Sequence, residues 1–127
     1  MTNELEKPIG TQEASKLSAG SVIVREITVE LSKEGSKAKI VKFHCKHQDQ
    51  EDLIKLSNVM IRSVQGSNIN IKKDTMWYNE DKEGNIRKGS CVANVMQFYK
   101  KSMLKDFKDA VVNTESDAPG YLCIKAY

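Results

Sequence analysis

Residues 41–46 alternate strictly between apolar and basic side chains, and this pattern constrains the fold more than any other in the chain. Successive residues of a β-strand point to opposite faces, so the alternation predicts a strand over 37–46 with one buried and one solvent-facing side. The preceding segment 21–31 is rich in β-branched residues and also has a period of two. A turn at 33–36, with Gly35, predicts that the two segments form an antiparallel hairpin. The expected inward positions are Ile23, Ile27, Val29 and Leu31 on the first strand, interrupted by Arg25, and Val41, Phe43 and Cys45 on the second; Lys42, His44 and Lys46 face outward.

More strands are predicted further along the chain. The segment 53–64 fits neither the strand nor the helix pattern cleanly; we favour a strand that can hold a β-bulge because residues 59–61 are β-formers, and a helix is the alternative. A fourth strand is predicted over 68–79. Two more, at 110–112 and 121–127, flank a turn that contains Pro and Gly.

The hydrophobic period changes to that of a helix between the fourth and fifth strands. Ser90 belongs to the residue types that cap helix N-termini, and apolar residues follow it at helical spacing. Ser102 is a second candidate cap, and it would open a short helix that ends near Phe107. We therefore predict a helical segment at about 90–108, before the last two strands.

This order of elements predicts a mainly β protein with one or two short helices. Antiparallel strands joined by regular turns favour a sheet that curls to hide its edges. We therefore predict a small antiparallel barrel of the OB type, a five-stranded Greek-key barrel, and keep a flat sheet with helices on one face as the rival. The barrel would occupy residues 21–127 as a single domain, and residues 1–20 would form a flexible or loosely packed polar arm.

The last 40 residues carry a pattern that can be compared with a known family. Gly89-Ser90 opens a helix, residues 104–108 resemble a second helix that leads into a strand, and residues 120–125 resemble a closing strand. In this respect the chain resembles small OB-fold single-stranded-DNA-binding-like proteins of phages and archaeal viruses. The resemblance implies a barrel that binds DNA and has no catalytic site. It departs from the family pattern at Asp109 and Ala110, where such proteins often carry glycine after the second helix.

Composition excludes several classes of protein. The chain has 127 residues, 39% of them hydrophobic and 29% charged, which suits one soluble domain. It has no apolar run long enough to cross a membrane, no secretory signal pattern and no P-loop, Rossmann, HExxH, CxxC or GxSxG motif. Its three cysteines are widely spaced, which fits free thiols in a reducing compartment. We therefore expect a non-enzymatic cytoplasmic protein (host cytoplasm, if it is viral) without a cofactor or metal.

Basic and aromatic residues together suggest the function. The net charge is only +3, but lysines cluster on the predicted second and fourth strands and before the helix. Proteins that bind single-stranded nucleic acid combine cations for the phosphates with exposed rings that stack on bases. Trp77 and Tyr78 are neighbours on a strand, so one should point inward and the other outward; the sequence does not decide which. The candidate nucleic-acid-binding residues are Lys37, Lys39, Lys42, His44, Lys46, Lys72, Lys73, Trp77, Tyr78, Arg87 and Lys88.

We accordingly predict a protein that binds single-stranded nucleic acid, DNA in the first instance, in phage-type or archaeal replication or recombination. The alternative is a protein-interaction or inhibitor module that acts through a sheet edge or as a homodimer, with the last strand as the partner-binding edge. Two chemical alternatives rank lower. His44, Cys45 and His47 lie close together, but strand geometry points the first two to opposite faces, so a shared zinc ion is disfavoured. Cys91 lies near a helix N-terminus, where a thiol pKa can fall, but no partner base is indicated.

Overall fold

The computed structural model describes residues 17–31 and 37–127. The predicted turn at 33–36 and most of the predicted N-terminal arm lie outside the described residues. Within them the chain forms eight strands, one α-helix and one 3₁₀ helix. The strands are β1 (Ser21–Leu31), β2 (Lys39–Lys46), β3 (Ile54–Leu56), β4 (Asn58–Gln65), β5 (Asn68–Thr75), β6 (Trp77–Tyr78), β7 (Val111–Ser116) and β8 (Leu122–Ala126); the helix α1 is Cys91–Phe98 and the 3₁₀ helix is Leu104–Phe107.

The sheet curls back on itself. Its strand order is β3-β2-β1-β7-β8-β4-β5, and β6 adds to β2. β3 and β4 lie far apart in this order, yet only Ser57 separates them in the chain, so the sheet must bend until its two ends approach each other. The Ser57 carbonyl accepts a hydrogen bond from the backbone N–H of Met76 (2.8 Å), which also joins the two ends. β4 and β8 pair in parallel, and the other pairs are antiparallel. The predicted mainly β, barrel-like fold with a helical segment before the last two strands is confirmed.

The core lies inside this curl. Val41, Phe43 and Cys45 are buried, as the alternation of β2 predicted. The Phe43 ring packs on Phe107 of the 3₁₀ helix with the ring centroids 4.8 Å apart, and Phe107 is fully buried. The helical segment therefore closes the core through an aromatic contact.

The first strand buries different residues from those predicted. Val22 and Val24 are buried, whereas Val29 and Leu31 are 44% and 59% exposed. The pairing with β2 shifts register between Val24 and Glu26, which leaves Arg25 as a bulged residue. A bulge adds one residue to one strand and so changes which parity faces the core. The bulge explains why the prediction for Ile23 was wrong, since Ile23 has the opposite parity to Val22 and Val24. Beyond the bulge, Ile27 and Val29 lie opposite the buried Phe43 and Val41 and have the inward parity that was predicted. Ile27 packs against the core, whereas Val29 and Leu31 are exposed, so the prediction that these two are buried was wrong.

The ambiguous segment 53–64 is a strand, interrupted at Ser57, so the prediction of a strand is confirmed and the helical alternative is not. The predicted fourth strand over 68–79 is present as β5 and β6 with Met76 between them. The strand predicted at 110–112 is longer than expected and runs through Ser116 as β7.

Helix α1 begins and ends with recognisable caps. Ser90 Oγ accepts a hydrogen bond from the Ala93 N–H (3.2 Å), as predicted for an N-cap. At the other end the Lys101 N–H bonds to the Met96 carbonyl (2.8 Å) and the Lys100 N–H to the Gln97 carbonyl (3.2 Å). These two bonds form a Schellman motif, which requires a left-handed residue at its turn. Lys100 supplies that residue with φ of 58°, where glycine is usual.

The turn between the 3₁₀ helix and β7 contains Asp109. It adopts φ of 65° between the 3₁₀ helix and β7, the left-handed conformation that glycine takes most easily. Aspartate tolerates this region better than most residues. Its carboxylate also forms an ion pair with Arg25 at the bulge (2.8 Å). Asp109 thus forms this turn without a glycine.

The last strand does not form an edge of the sheet. β8 pairs with β7 on one side and with β4 on the other. The prediction that it offers an edge to a partner was wrong, because residues 58–65 return to pair beside it in parallel. β5 is the terminal strand at that end of the order, and its Ile69 and Ile71 are 60% and 40% exposed. Within the described residues, no helix has the length and apolar character needed to cross a membrane.

Candidate nucleic-acid interface

The outer face of β2 gathers basic side chains and the only tryptophan. Residues directly opposite each other in an antiparallel pair point to the same face. His44 lies opposite Lys55 of β3, and Ile40 lies opposite Trp77 of β6. Since positions 40, 42, 44 and 46 share one parity, their side chains share a face with those of Lys55 and Trp77. We call this set the β2 face; its members are Lys42, His44, Lys46, Lys55 and Trp77.

Neighbouring residues of β1 moderate the charge of the β2 face. Glu26 lies opposite His44 and Thr28 lies opposite Lys42. Lys42 Nζ forms an ion pair with Glu30 (2.7 Å). The hydrogen bond from Lys42, together with its charge, lowers the pKa of the Glu30 carboxyl, and Lys55 adds to this effect. The face therefore carries three lysines against the two glutamates of β1, a modest positive excess.

Two other members of the β2 face are held by polar contacts. Thr28 Oγ1 and His44 Nε2 share a hydrogen bond at 2.9 Å. Lys46 Nζ donates to the Gln50 carbonyl in the loop that follows β2. Lys55 is exposed and has no ion pair with any described residue.

The structure decides between Trp77 and Tyr78. Tyr78 is buried in the core, 8% exposed, whereas Trp77 is only partly buried at the edge of that core. The indole Nε1–H of Trp77 donates to Asp74 Oδ2 at 3.3 Å, which holds the ring in one orientation. Trp77 is consequently the ring of this pair that a base could reach.

Three predicted residues lie together elsewhere. Lys37, Lys39 and Arg87 line a groove of about 690 Å³ that also contains Glu80 and Asp81. Lys39 has the parity of Val41 and lies opposite Tyr78, so it is not on the β2 face. It pairs with Glu80 (2.7 Å), and this hydrogen bond raises the pKa of the lysine.

The remaining predicted residues are dispersed. Lys73 of β5 pairs with Asp117 (2.8 Å), whose side chain is nearly buried; the bond raises the pKa of Lys73 and lowers that of Asp117. Lys72 is exposed on β5 and its charge reaches the Cys91 thiol. Lys88 lines a different groove beside α1. The predicted set therefore divides among several surfaces, and only Lys42, His44, Lys46 and Trp77 share the β2 face.

The histidines and cysteines do not assemble into a metal site. Among the described residues there is no group of His, Cys, Asp and Glu that could hold a metal ion. His47 is 2% exposed and both ring nitrogens are occupied. Its Nδ1 accepts the Asp49 N–H (3.0 Å) and its Nε2–H donates to the Ser18 carbonyl (2.8 Å). His47 thus fastens the segment before β1 to the loop after β2.

The three cysteines are free and buried. Burial raises the pKa of Cys45 to about 12. Burial, with the charge of Asp74, raises that of Cys91 to about 12 as well. The helix N-terminus does not lower the pKa of Cys91, because desolvation of the thiolate outweighs it.

Lys55 is the member of the β2 face that the sequence reasoning missed. It lies in a three-residue strand within an ambiguous segment, and only the register with β2 places it beside His44. The comparisons with known proteins add no relative: no family model, no curated protein and no solved structure matches the chain.

Proposed function

We propose that the protein binds single-stranded nucleic acid on the β2 face. The observation that carries the proposal is the register that places Lys42, His44 and Lys46 on one surface with Lys55 and Trp77. In barrels of the OB type, the face formed by the second and third strands binds oligonucleotides. β2 and β3 are the second and third strands of this chain, so the candidate face has the position expected for that class.

The lysines and Trp77 have defined tasks in this proposal. The lysines neutralise backbone phosphates and release their counterions, which makes binding weaken as salt rises. Trp77 stacks on a base, a contact that contributes about 1–3 kcal/mol and tolerates any sequence. Lys42 is paired with Glu30, so in the wild type Lys46 and Lys55 make the phosphate contacts, and Lys42 adds one only when Glu30 no longer holds it. The proposal gives the residues of the β2 face no role in a chemical step, so it is for a binding protein in phage-type or archaeal replication or recombination and not for an enzyme.

The test is affinity for a labelled oligothymidylate, measured by fluorescence anisotropy over a range of salt. Replacement of both Lys46 and Lys55 by alanine should weaken binding and reduce the slope of log affinity against log salt by about 1.4, or 0.7 per phosphate contact. Lys37→Ala and Arg87→Ala together are the matched control, because these two cations lie off the β2 face. If the variant with alanine at Lys46 and Lys55 had the same salt slope as the wild type, the β2 face would not be the binding surface.

A homodimer through β5 is the second candidate. β5 is a terminal strand of the sheet and exposes Ile69 and Ile71. Such an edge can pair with a second copy, although Lys72 and Lys73 beside the two isoleucines oppose that pairing. Sedimentation of the wild type and of Ile71→Lys separates the cases: only a β5 dimer becomes monomeric on substitution.

A further inference from the structure

A groove beside α1 has a lining unlike that of the β2 face. It holds about 580 Å³, within the range of pockets that bind ligands, about 300–1,000 Å³. One wall is the loop segment 84–88 and the other is the region from Ala93 of α1 to Leu104. Its apolar lining consists of Ile86, Ala93, Met96, Met103 and Leu104.

Both walls carry a lysine, and no carboxylate is part of the lining. The Asp106 carboxylate adjoins it and accepts hydrogen bonds from the Ser102 hydroxyl and the Met103 N–H. Lys88 lies on the loop wall and Lys101 on the opposite wall. Neither lysine forms an ion pair with any described residue. The other polar side chains of the lining are those of Asn85, Gln97 and Ser102, which are uncharged. A ligand in this groove thus meets an apolar floor between two cations.

The backbone holds one of these lysines in place. The Schellman motif at the end of α1 bonds the Lys101 N–H to the carbonyl of Met96, which also lines the groove. The left-handed Lys100 makes that turn. The end of the helix therefore fixes the backbone of Lys101 beside Met96, and Lys101 has no ion pair with a described residue.

The methionines indicate what kind of ligand fits. Met103 is 56% exposed and Met96 lies at the floor. Methionine side chains are flexible and polarizable, and surfaces rich in them accommodate peptides of varied sequence. Two cations flanking an apolar floor complement a segment in which acidic residues flank one or two aliphatic side chains.

We propose that this groove binds an acidic peptide segment of a partner protein, with an aliphatic side chain between Met96 and Met103 and carboxylates on Lys88 and Lys101. This site goes beyond nucleic-acid binding, since the β2 face shares no residue with the groove lining. A protein with both sites could hold a nucleic-acid strand and a partner at the same time.

The test uses three fluorescein-labelled decapeptides and the full chain. The first has four acidic residues around two leucines; the second has serine in place of the acids; the third has serine in place of the leucines. The first should bind, and each of the others should bind at least tenfold more weakly, because apolar burial and charge pairing both contribute.

Variants locate the site. The double substitution Lys88→Glu and Lys101→Glu should weaken binding of the first peptide at least tenfold, and Met103→Ser should weaken it several-fold. Met103 is more than half exposed, so its replacement should leave the fold intact; circular dichroism checks this. The double substitution Lys46→Glu and Lys55→Glu is the matched control, since it makes the same charge change on the β2 face.

The two sites are separated by a cross-test with oligothymidylate. Lys55→Glu should weaken binding of the oligonucleotide and leave binding of the peptide unchanged. Lys88→Glu with Lys101→Glu should weaken binding of the peptide and leave binding of the oligonucleotide unchanged. The peptide site would be overturned if the groove variants bound the peptide as tightly as the wild type. It would also be overturned if the oligonucleotide abolished peptide binding by competing for the same lysines. Neither result would decide whether the β2 face binds nucleic acid.

Discussion

The ion pair between Lys42 and Glu30 gives the sharpest prediction about the β2 face. The two groups are 2.7 Å apart on a solvent-exposed surface. A phosphate must compete with Glu30 for Lys42, so the carboxylate acts as an internal substitute for the ligand. Replacing Glu30 by glutamine keeps the size of the side chain and removes its charge. We expect the variant to bind single-stranded nucleic acid more tightly than the wild type at low salt.

The magnitude follows from counterion release. One additional phosphate contact steepens the slope of log affinity against log salt by about 0.7 for a single strand. Over a tenfold rise in salt, the advantage of the variant should therefore shrink by about fivefold. The free energy of unfolding should change little, because exposed ion pairs contribute little to stability.

Fluorescence anisotropy with labelled oligothymidylate measures both quantities. Glu80→Gln is the control: it frees Lys39, which also forms a 2.7 Å pair but lies off the β2 face. If Glu30→Gln has the wild-type salt slope, Lys42 does not contact phosphate. If Glu80→Gln steepens the slope equally, the effect is one of total charge and the reasoning from the face fails.

Three further predictions concern the fold. Phe107→Ala should lower the free energy of unfolding by about 3–5 kcal/mol in urea denaturation, because it empties a fully buried site against Phe43. The control is Phe98→Ala, at a ring that is 44% exposed, which should lower it by about 1 kcal/mol or less. Equal losses in the two variants would contradict this account of the core. Lys100→Gly should raise the free energy of unfolding by about 0.5–1 kcal/mol, because glycine takes the left-handed turn without strain; a loss of stability would show that Lys100 has another role. The thiols of Cys45 and Cys91 have a pKa raised from 9.0 to about 12. Their contribution to stability is complete below pH 9 and falls as pH rises from 9 toward 12, because only the unfolded chain then releases the proton; the loss is up to about 1.4 kcal/mol per pH unit and thiol. A Cys91→Ala variant should therefore show a shallower decline of the urea midpoint over this range. A decline identical to that of the wild type would contradict the burial argument.

Local patterns in the sequence predict the elements but not their partners. The alternation of β2 and the capping of α1 by Ser90 involve residues within a few positions, so both appear in the structure as predicted. The bulge at Arg25 could not be predicted, because it is a matter of the register of β1 against β2, which depends on residues distant in sequence. No local pattern likewise shows that β4 pairs with the second side of β8, because these two strands are distant in sequence.

In the candidate site, too, the local pattern of the sequence predicted the strand but not its neighbours. The alternation identified Lys42, His44 and Lys46 correctly as one outward row. It could not show that Glu30 neutralises Lys42 or that Lys55 stands beside His44, since both relations depend on cross-strand register. Lys39 and Lys73 looked equivalent to these lysines in sequence, but each has a carboxylate partner on a different surface.

The most direct test of the central claim is the fluorescence of Trp77, the only tryptophan in the chain, during titration with oligothymidylate at low and at high salt. The account predicts quenching at low salt that high salt reverses, and weaker quenching in a variant with alanine at Lys46 and Lys55. Binding that is visible by anisotropy while Trp77 emission stays constant would contradict it, because the nucleic acid would then lie on another surface.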